Sequence, residues 1–221
     1  YSPFAQRAAD QIIHDVALQN LPVIFALDRA GLVGEDGATH HGVFDVSLFS
    51  GIPNLAMAAP LTGNDLDFQM QCFLEKKQAA LIRYPKSAFR QESEPRLQLK
   101  PRCMKEGRNK CVVSYGAIAA EAQEAIDKTD FAHFNIPQLQ PFPATEVSAM
   151  LENFSLVVSV EENTTAGGLG EKLSALKAND KLNAKLEKLC VPHRFIAHGK
   201  RQELLEECRL SAGSIRSLLR N

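Results

Sequence analysis

The sequence predicts an α/β protein made of two successive helix-and-strand units, and three observations carry that reading. Short apolar runs of strand length recur at residues 21–27, 55–60 and 79–82, and again at 111–115 and 156–160. Strands covered by helices on both faces read as continuous apolar runs, so this pattern favours parallel sheets. Between the two groups, residues 86–110 carry eight Lys/Arg against three Glu, with Pro95, Pro101 and few apolar side chains. That composition predicts a linker crossing the surface, with near absence of aromatics arguing against a polyanion-binding patch. Finally, one glycine-rich polar loop, residues 28–41, follows the first strand.

Size and charge narrow the classes. A chain of 221 residues can bury a core in one or two domains. With 45% hydrophobic residues, 23% charged and a net charge of −1, bulk charge supplies neither a nucleic-acid nor a membrane surface. No apolar run approaches the roughly 18 residues that span a bilayer. Five cysteines without a C-x-x-C pair suit reduced thiols and a cytoplasmic setting better than a disulfide framework or a zinc site.

The elements follow in order. Ser2 as N-cap and Pro3 in the first turn open a helix over residues 3–18, with Phe4, Ala8, Ile12 and Val16 as its apolar stripe. An α/β domain ordinarily begins on a strand, so this start reads as the middle of a domain. The strand at 21–27 feeds the glycine-rich loop, and residues 42–49 carry a short apolar pattern. A strand at 55–60, a helix capped by Asn64 and a strand at 79–82 complete the first unit. In the second, a strand at 111–115 precedes a helix at 117–126, a strand near 131–134, a helix around 145–154 and a strand at 156–160. Gly167, Gly168 and Gly170 then form a strand-to-helix turn without the spacing or lysine of a phosphate loop, which predicts close helix–sheet packing. Residues 172–189 read as one lysine-rich solvated helix, 190–196 as a last strand, and 202–208 and 213–219 as closing helices.

The loop at 28–41 holds the chemistry. Asp28, Arg29, Glu35, Asp36, His40 and His41 are spaced by Gly31, Gly34 and Gly37. Glycines permit close approach of a ligand to the backbone, and in open α/β sheets ligands sit beyond the carboxyl ends of strands. Histidines beside carboxylates and an arginine can move protons and hold an anion.

The stretches Tyr1-Ser2-x-Phe4-x-Gln6-Arg7-Ala8 and Asp28-Arg29-Ala30-Gly31-Leu32-Val33-Gly34-x-Asp36-Gly37-x-Thr39-His40, followed by Arg83-Tyr84-Pro85 and Val160-Glu161-Glu162-Asn163, resemble the 1-deoxy-D-xylulose-5-phosphate synthases of the transketolase superfamily. The resemblance implies the latter part of a pyrimidine-binding transketolase-type domain at residues 1–86, a linker at 87–110, and a complete transketolase C-terminal α/β domain at 111–221. It implies a thiamine-diphosphate- and Mg²⁺-dependent condensation of pyruvate with D-glyceraldehyde 3-phosphate by a cytoplasmic homodimer. The diphosphate and metal ligands would lie in an N-terminal part outside this chain, leaving the chain alone inactive. By the same resemblance, His40 and Asp36 are active-site polar residues, Arg29 and Arg83 grip substrate phosphate, and Phe4, Tyr1 and Arg7 line the cofactor pyrimidine pocket; His41 is structural. Lys86-Ser87 stands where many relatives have Arg-Gly, and Gln140-Pro141-Phe142-Pro143 replaces a common Lys-Pro-Leu-Asp. Two alternatives remain: another thiamine-diphosphate enzyme of the transketolase or pyruvate dehydrogenase E1 β kind, against which the 28–40 loop argues, and a noncatalytic partner-binding domain.

Overall fold

The computed structural model describes residues 1–89, 97–179 and 181–220. Among these, nine strands form two sheets: β1 (Ile24–Leu27), β2 (Ala56–Ala58), β3 (Ala80–Arg83), β4 (Arg102–Lys105), β5 (Lys110–Ser114), β6 (Ala132–Asn135), β7 (Gln138–Gln140), β8 (Leu156–Thr164) and β9 (Lys185–Val191). The first sheet runs β1-β3-β2-β7, parallel except for β7. The second runs β4-β6-β5-β8-β9, parallel except for β4. The mixed α/β architecture is the expected one; β2 and β3 are buried along their whole length and β5 from Cys111 onward, as their hydrophobic runs require.

The helical opening is built from short turns, Ser2–Ala5, Gln6–Ala8, Ala9–Gln11 and Ile12–Ala17, the last wound as a π-helix. Ser2 is not the cap expected of it. Tyr1 holds that position, and the Ser2 hydroxyl is buried and donates to Asp45 Oδ2 at 2.9 Å. Likewise, the helix Gly63–Glu75 is capped by Thr62 rather than Asn64. The Thr62 hydroxyl accepts from the Asp65 amide and the Asp65 carboxylate accepts from the Thr62 amide, a reciprocal capping box.

Three departures concern the second unit. Within the expected linker, Arg102–Lys105 pairs with β6. Arg102 is 3% exposed and forks onto the Asp65 carboxylate at 2.9 and 2.6 Å, so this basic residue bolts the second sheet to a helix of the first unit. Of that stretch, residues 90–96 lie outside the described residues. Second, β7 crosses over to join the first sheet beside β2. Third, the helix expected over 172–189 ends early, at Leu169–Ala178, and Lys185–Val191 is strand. Pairing along β8, from Leu156↔Lys185 to Val160↔Leu189, overrides the helical propensity of the lysines.

A single apolar cluster joins the sheets, with Leu27, Met57 and Leu81 from one and Val113, Leu139 and Leu173 from the other unit. A second cluster lies under the closing helices, where Val158, Val160, Ile196 and Leu204 receive Leu32 and Val43 from the two flanks of the glycine-rich loop.

Candidate functional site at the glycine-rich loop

The loop is drawn shut at its base. Gly31 and Gly42 exchange two backbone hydrogen bonds, at 2.8 and 2.9 Å. Gly31 has φ +81°, and a Cβ there would lie 2.8 Å from the Glu162 carboxyl carbon; a Cβ on Gly42 would lie 2.3 Å from the Arg29 carbonyl oxygen. Both positions therefore demand glycine.

Beneath this neck sits Glu162, at the end of β8. Its Oε1 accepts from the Leu32 amide at 3.0 Å, and the carboxylate takes a fork from Arg201, with Nη1–Oε1 at 2.6 Å and Nη2–Oε2 at 2.8 Å. Burial opposes its charge, yet Arg201 and the Leu32 amide hold its pKa below the ordinary glutamate value. His41 faces inward: its Nδ1 accepts from the Val33 amide at 3.1 Å and its Nε2 donates to the Ala197 carbonyl at 3.2 Å. Burial lowers its pKa, which keeps that neutral tautomer in place. Both of its ring nitrogens are thereby engaged within the fold.

The expected pairing of Arg29 with Arg83 is not what the fold builds. Arg83 is 5% exposed; its Nε donates to Asp45 Oδ2 at 2.8 Å and its Nη2 reaches the carbonyls of Gly42 at 3.2 Å and Glu162 at 3.3 Å. The Tyr115 ring lies 5.3 Å from its Cζ. Its Nε and Nη2 tie the two units together, and a buried partnered charge of this kind is costly to redirect. The second cation of the loop surface is instead Lys86, three residues on, whose Nζ lies 2.9 Å from Asp36 Oδ2. That hydrogen bond is the main reason the Asp36 pKa falls below its usual value.

The remaining expected residues do come together. Tyr1 and Phe4 stack with ring centroids 5.6 Å apart, and His40 meets the edge of Phe4 at 5.1 Å. The Arg29 guanidinium lies 3.6 Å from the Tyr1 ring centroid, and Arg7 lies 5.6 Å from that of Phe4. Arg29 adopts φ +60°, unusual for a side chain of its size, and pairs with Asp28. Its Nε is buried and has no partner among the described residues. Thr39 Oγ1 and His40 Nδ1 are 2.8 Å apart. Beside Phe4 a cavity of about 440 Å³ opens, walled by Phe4, Arg7, Phe44, Leu48 and Phe195 together with Thr39 of the loop. Phe4 and Arg7 line it, whereas Tyr1, Arg29, Asp36 and His40 do not.

Sequence reasoning missed Lys86, Glu162 and Arg201 as parts of this site. Glu162 lay inside a quoted motif, and Lys86 at a position noted only as a departure; nothing in the spacing singled out Arg201. The glycine turn at 167–170 is occupied from within. The Glu161 carboxylate accepts from the amides of Leu169 at 2.8 Å and Gly170 at 2.9 Å, and from the Tyr115 hydroxyl at 3.0 Å. This closes the helix N-terminus to an outside anion. Among the described residues, no group of three or more His, Cys, Asp or Glu could hold a metal ion. No described helix is long and apolar enough to cross a membrane.

A polar, glycine-necked loop beyond the carboxyl end of a parallel strand, flanked by a half-exposed aromatic pair and two cations, defines an α/β protein with a ligand site at the sheet's carboxyl edge. Residues 1–92 match the transketolase pyrimidine-binding domain, and residues 100–215 match the transketolase C-terminal domain. The chain belongs to the transketolase family. It is 40% identical over 220 residues to a 1-deoxy-D-xylulose-5-phosphate synthase of Nitrosococcus oceani, covering 97% of this chain and 34% of that protein. A synthase of the same name from Histophilus somni is 35% identical over 219 residues, covering 97% and 36%. The chain therefore spans about a third of the length of these relatives. Among solved structures, a split-gene transketolase described as an inactive β4 tetramer superposes with a TM-score of 0.86 at 22% identity, covering 100% of this chain and 73% of that one. A Pichia stipitis transketolase in complex with sedoheptulose 7-phosphate gives 0.81 at 16% identity, covering 99% and 32%.

Proposed function

We propose that this chain is the pyrimidine-binding and C-terminal part of a synthase that joins pyruvate to D-glyceraldehyde 3-phosphate, releasing carbon dioxide and forming 1-deoxy-D-xylulose 5-phosphate. The observation that carries this reading is the convergence of Arg29, Asp36, His40 and Phe4 on one surface in a chain up to 40% identical to proteins of that name. Thiamine diphosphate fits the residues present at its pyrimidine end: Phe4, with 37% of its surface exposed, offers an aromatic wall and Arg7 borders it. When bound, this cofactor supplies the carbon nucleophile that the reaction needs. Its diphosphate and Mg²⁺ are assigned to the rest of the full-length protein, which works as a cytoplasmic homodimer in this reading.

The chain's own residues attend to the acceptor. Arg29, a partly exposed guanidinium at the loop's base, holds the acceptor phosphate, and Lys86 supplies the second positive charge. His40 lies beside Phe4, where it orients the acceptor carbonyl and delivers a proton to its oxygen. Asp36 positions Lys86 and the acceptor hydroxyl. The test is product formation by the full-length protein from pyruvate and D-glyceraldehyde 3-phosphate, followed by chromatography of the sugar phosphate. Release of carbon dioxide with appearance of the five-carbon phosphate is expected. Transfer of a two-carbon ketol unit between sugar phosphates, without use of pyruvate, would replace this reading by a transketolase one.

A further inference from the structure

We propose that Glu162 and Arg201 are positioning residues for the acceptor, acting through the Leu32 peptide to set where Asp36 and His40 stand. The inference rests on the reading above, that the 28–41 loop carries the acceptor-binding groups.

Four observations converge on it. The Leu32 peptide is gripped on both sides: its amide donates to Glu162 Oε1 at 3.0 Å, and its carbonyl accepts from Arg201 Nη1. The same Nη1 closes the triangle by donating to Glu162 Oε1 at 2.6 Å. The Leu32 side chain, 2% exposed, is sunk in the apolar cluster of the C-terminal unit beside the closing helices. The loop neck rests directly on the Glu162 carboxylate, since even a methyl group at Gly31 would reach within 2.8 Å of it. Finally, the Glu162 carbonyl is held by Arg83 Nη2 at 3.3 Å, and that same nitrogen holds Gly42 O at 3.2 Å. Both strands of the neck are thereby referred to one residue, Glu162.

Glu162 is 4% exposed and its oxygens are spent on Arg201 and Leu32, while the Arg201 guanidinium is engaged by Glu162 and the Leu32 carbonyl. Neither is assigned a contact with the acceptor. Among the described residues, the loop from Leu32 to His41 is otherwise moored by His41, by the backbone contact of Gly34 O with the Gly199 amide at 3.4 Å and by the exposed Lys86–Asp36 pair at 2.9 Å. A bidentate arginine–carboxylate pair, partly buried, is the stiffest of them. Small misplacements of a reacting group cost large factors in rate, so a remote clamp of this kind controls acceptor use without contacting it.

Two measurements on the full-length protein test the proposal. Hydrogen–deuterium exchange compares wild type with Arg201→Ala and Arg201→Lys, and with Arg216→Ala as a control whose contacts are with the carbonyls of Glu124 and Ala125. Arg201→Ala should speed exchange across residues 31–41 while β8 stays protected, and Arg216→Ala should leave that segment unchanged. Unaltered exchange at 31–41 in Arg201→Ala overturns the clamp, whatever the activity. Steady-state kinetics supply the second arm. Arg201→Ala should lower kcat/KM for the phosphorylated acceptor by about 10- to 100-fold, with the KM for pyruvate within a factor of about two, and Arg201→Lys should recover part of the loss. A proportionate loss for both substrates would reduce Arg201 to general stability and overturn the positioning role. A wild-type protein that binds the acceptor yet forms no 1-deoxy sugar phosphate would count against the parent reading alone, because the exchange result still decides the clamp.

Discussion

Lys86 Nζ stands 2.9 Å from Asp36 Oδ2, joining the segment after β3 to the tip of the glycine-rich loop. Both side chains are exposed, so the pair adds little to stability. Under the proposed function its importance lies in what it reserves: a carboxylate kept ionised beside a cation available to the acceptor phosphate.

This relationship makes a direct prediction for Asp36. Its pKa is lowered first by the hydrogen bond from Lys86, with further contributions from the charges of Lys86, His40 and Arg29. Replacing Lys86 with alanine should move the Asp36 midpoint upward, towards the ordinary aspartate value. The sign follows because removing a donor to the charged form favours protonation. Carboxyl-carbon NMR titration of Asp36 in both proteins reads the shift; an unmoved midpoint would show that the pair does not persist in solution.

Arg83 and Arg29 should separate cleanly by stability. Arg83→Ala leaves Asp45, fully buried at its side chain, without its charged partner, and breaking a buried pair in this way costs about 3–5 kcal/mol. Arg29→Ala removes a partly exposed side chain whose described partners are its neighbour Asp28 and the exposed Tyr1 ring, and should cost less than Arg83→Ala, about 1 kcal/mol or less. Denaturant unfolding of the two variants is the measurement. Equal losses would return Arg83 to the acceptor site from which its burial removes it.

Much of this was legible in the sequence. Five of the strands were marked by apolar runs because both faces of a parallel sheet are covered, and the loop at 28–41 stood out because Gly31 and Gly42 serve backbone geometry that no other residue tolerates. What escaped notice depended on partners distant in the chain. β9 carries the composition of a helix and is strand only because β8 offers it a parallel edge. Arg102 looks like one of a basic run until Asp65 is seen across from it. Arg83 follows a strand just as Arg29 does, but Asp45 and Glu162 turn it inward, and no spacing rule contains that information.

His133 should make the protein acid-sensitive. The ring is fully buried between Ser114 Oγ and Gln123 Oε1, each at 2.7 Å, and burial, aided by Lys105, takes its pKa from 6.5 down to about 4. The unfolded chain therefore binds this proton more readily than the folded one. The contribution is fully present above about pH 6.5 and is lost as pH falls towards about 4, by at most about 3 kcal/mol in total. His133→Gln keeps a side chain able to bond Ser114 or Gln123 but cannot titrate. Its stability should depend less steeply on pH between about 4 and 6.5 than that of the parent. Parallel slopes in unfolding curves across that window would remove His133 as the cause.

The last prediction concerns which cations meet the acceptor phosphate in the full-length protein. The Arg29 side chain is 20% exposed and that of Lys86 45%, whereas that of Arg83 is 5% exposed and bonded to Asp45. A hydrogen bond to a charged group is worth about 1.5–3 kcal/mol, or roughly one to two orders of magnitude in affinity. Arg29→Ala and Lys86→Ala should each raise KM for D-glyceraldehyde 3-phosphate on that scale, while pyruvate binding changes little. Lys86→Arg should match or improve on the parent, since a planar fork grips phosphate better than a point charge. With unphosphorylated glyceraldehyde, all three variants should lie close to wild type. His40→Ala should behave differently, lowering kcat with either acceptor, because the proposed reading gives it the acceptor carbonyl rather than the phosphate. If Arg29→Ala and Lys86→Ala lose as much with glyceraldehyde as with its phosphate, neither cation binds that group and the acceptor must enter in another orientation.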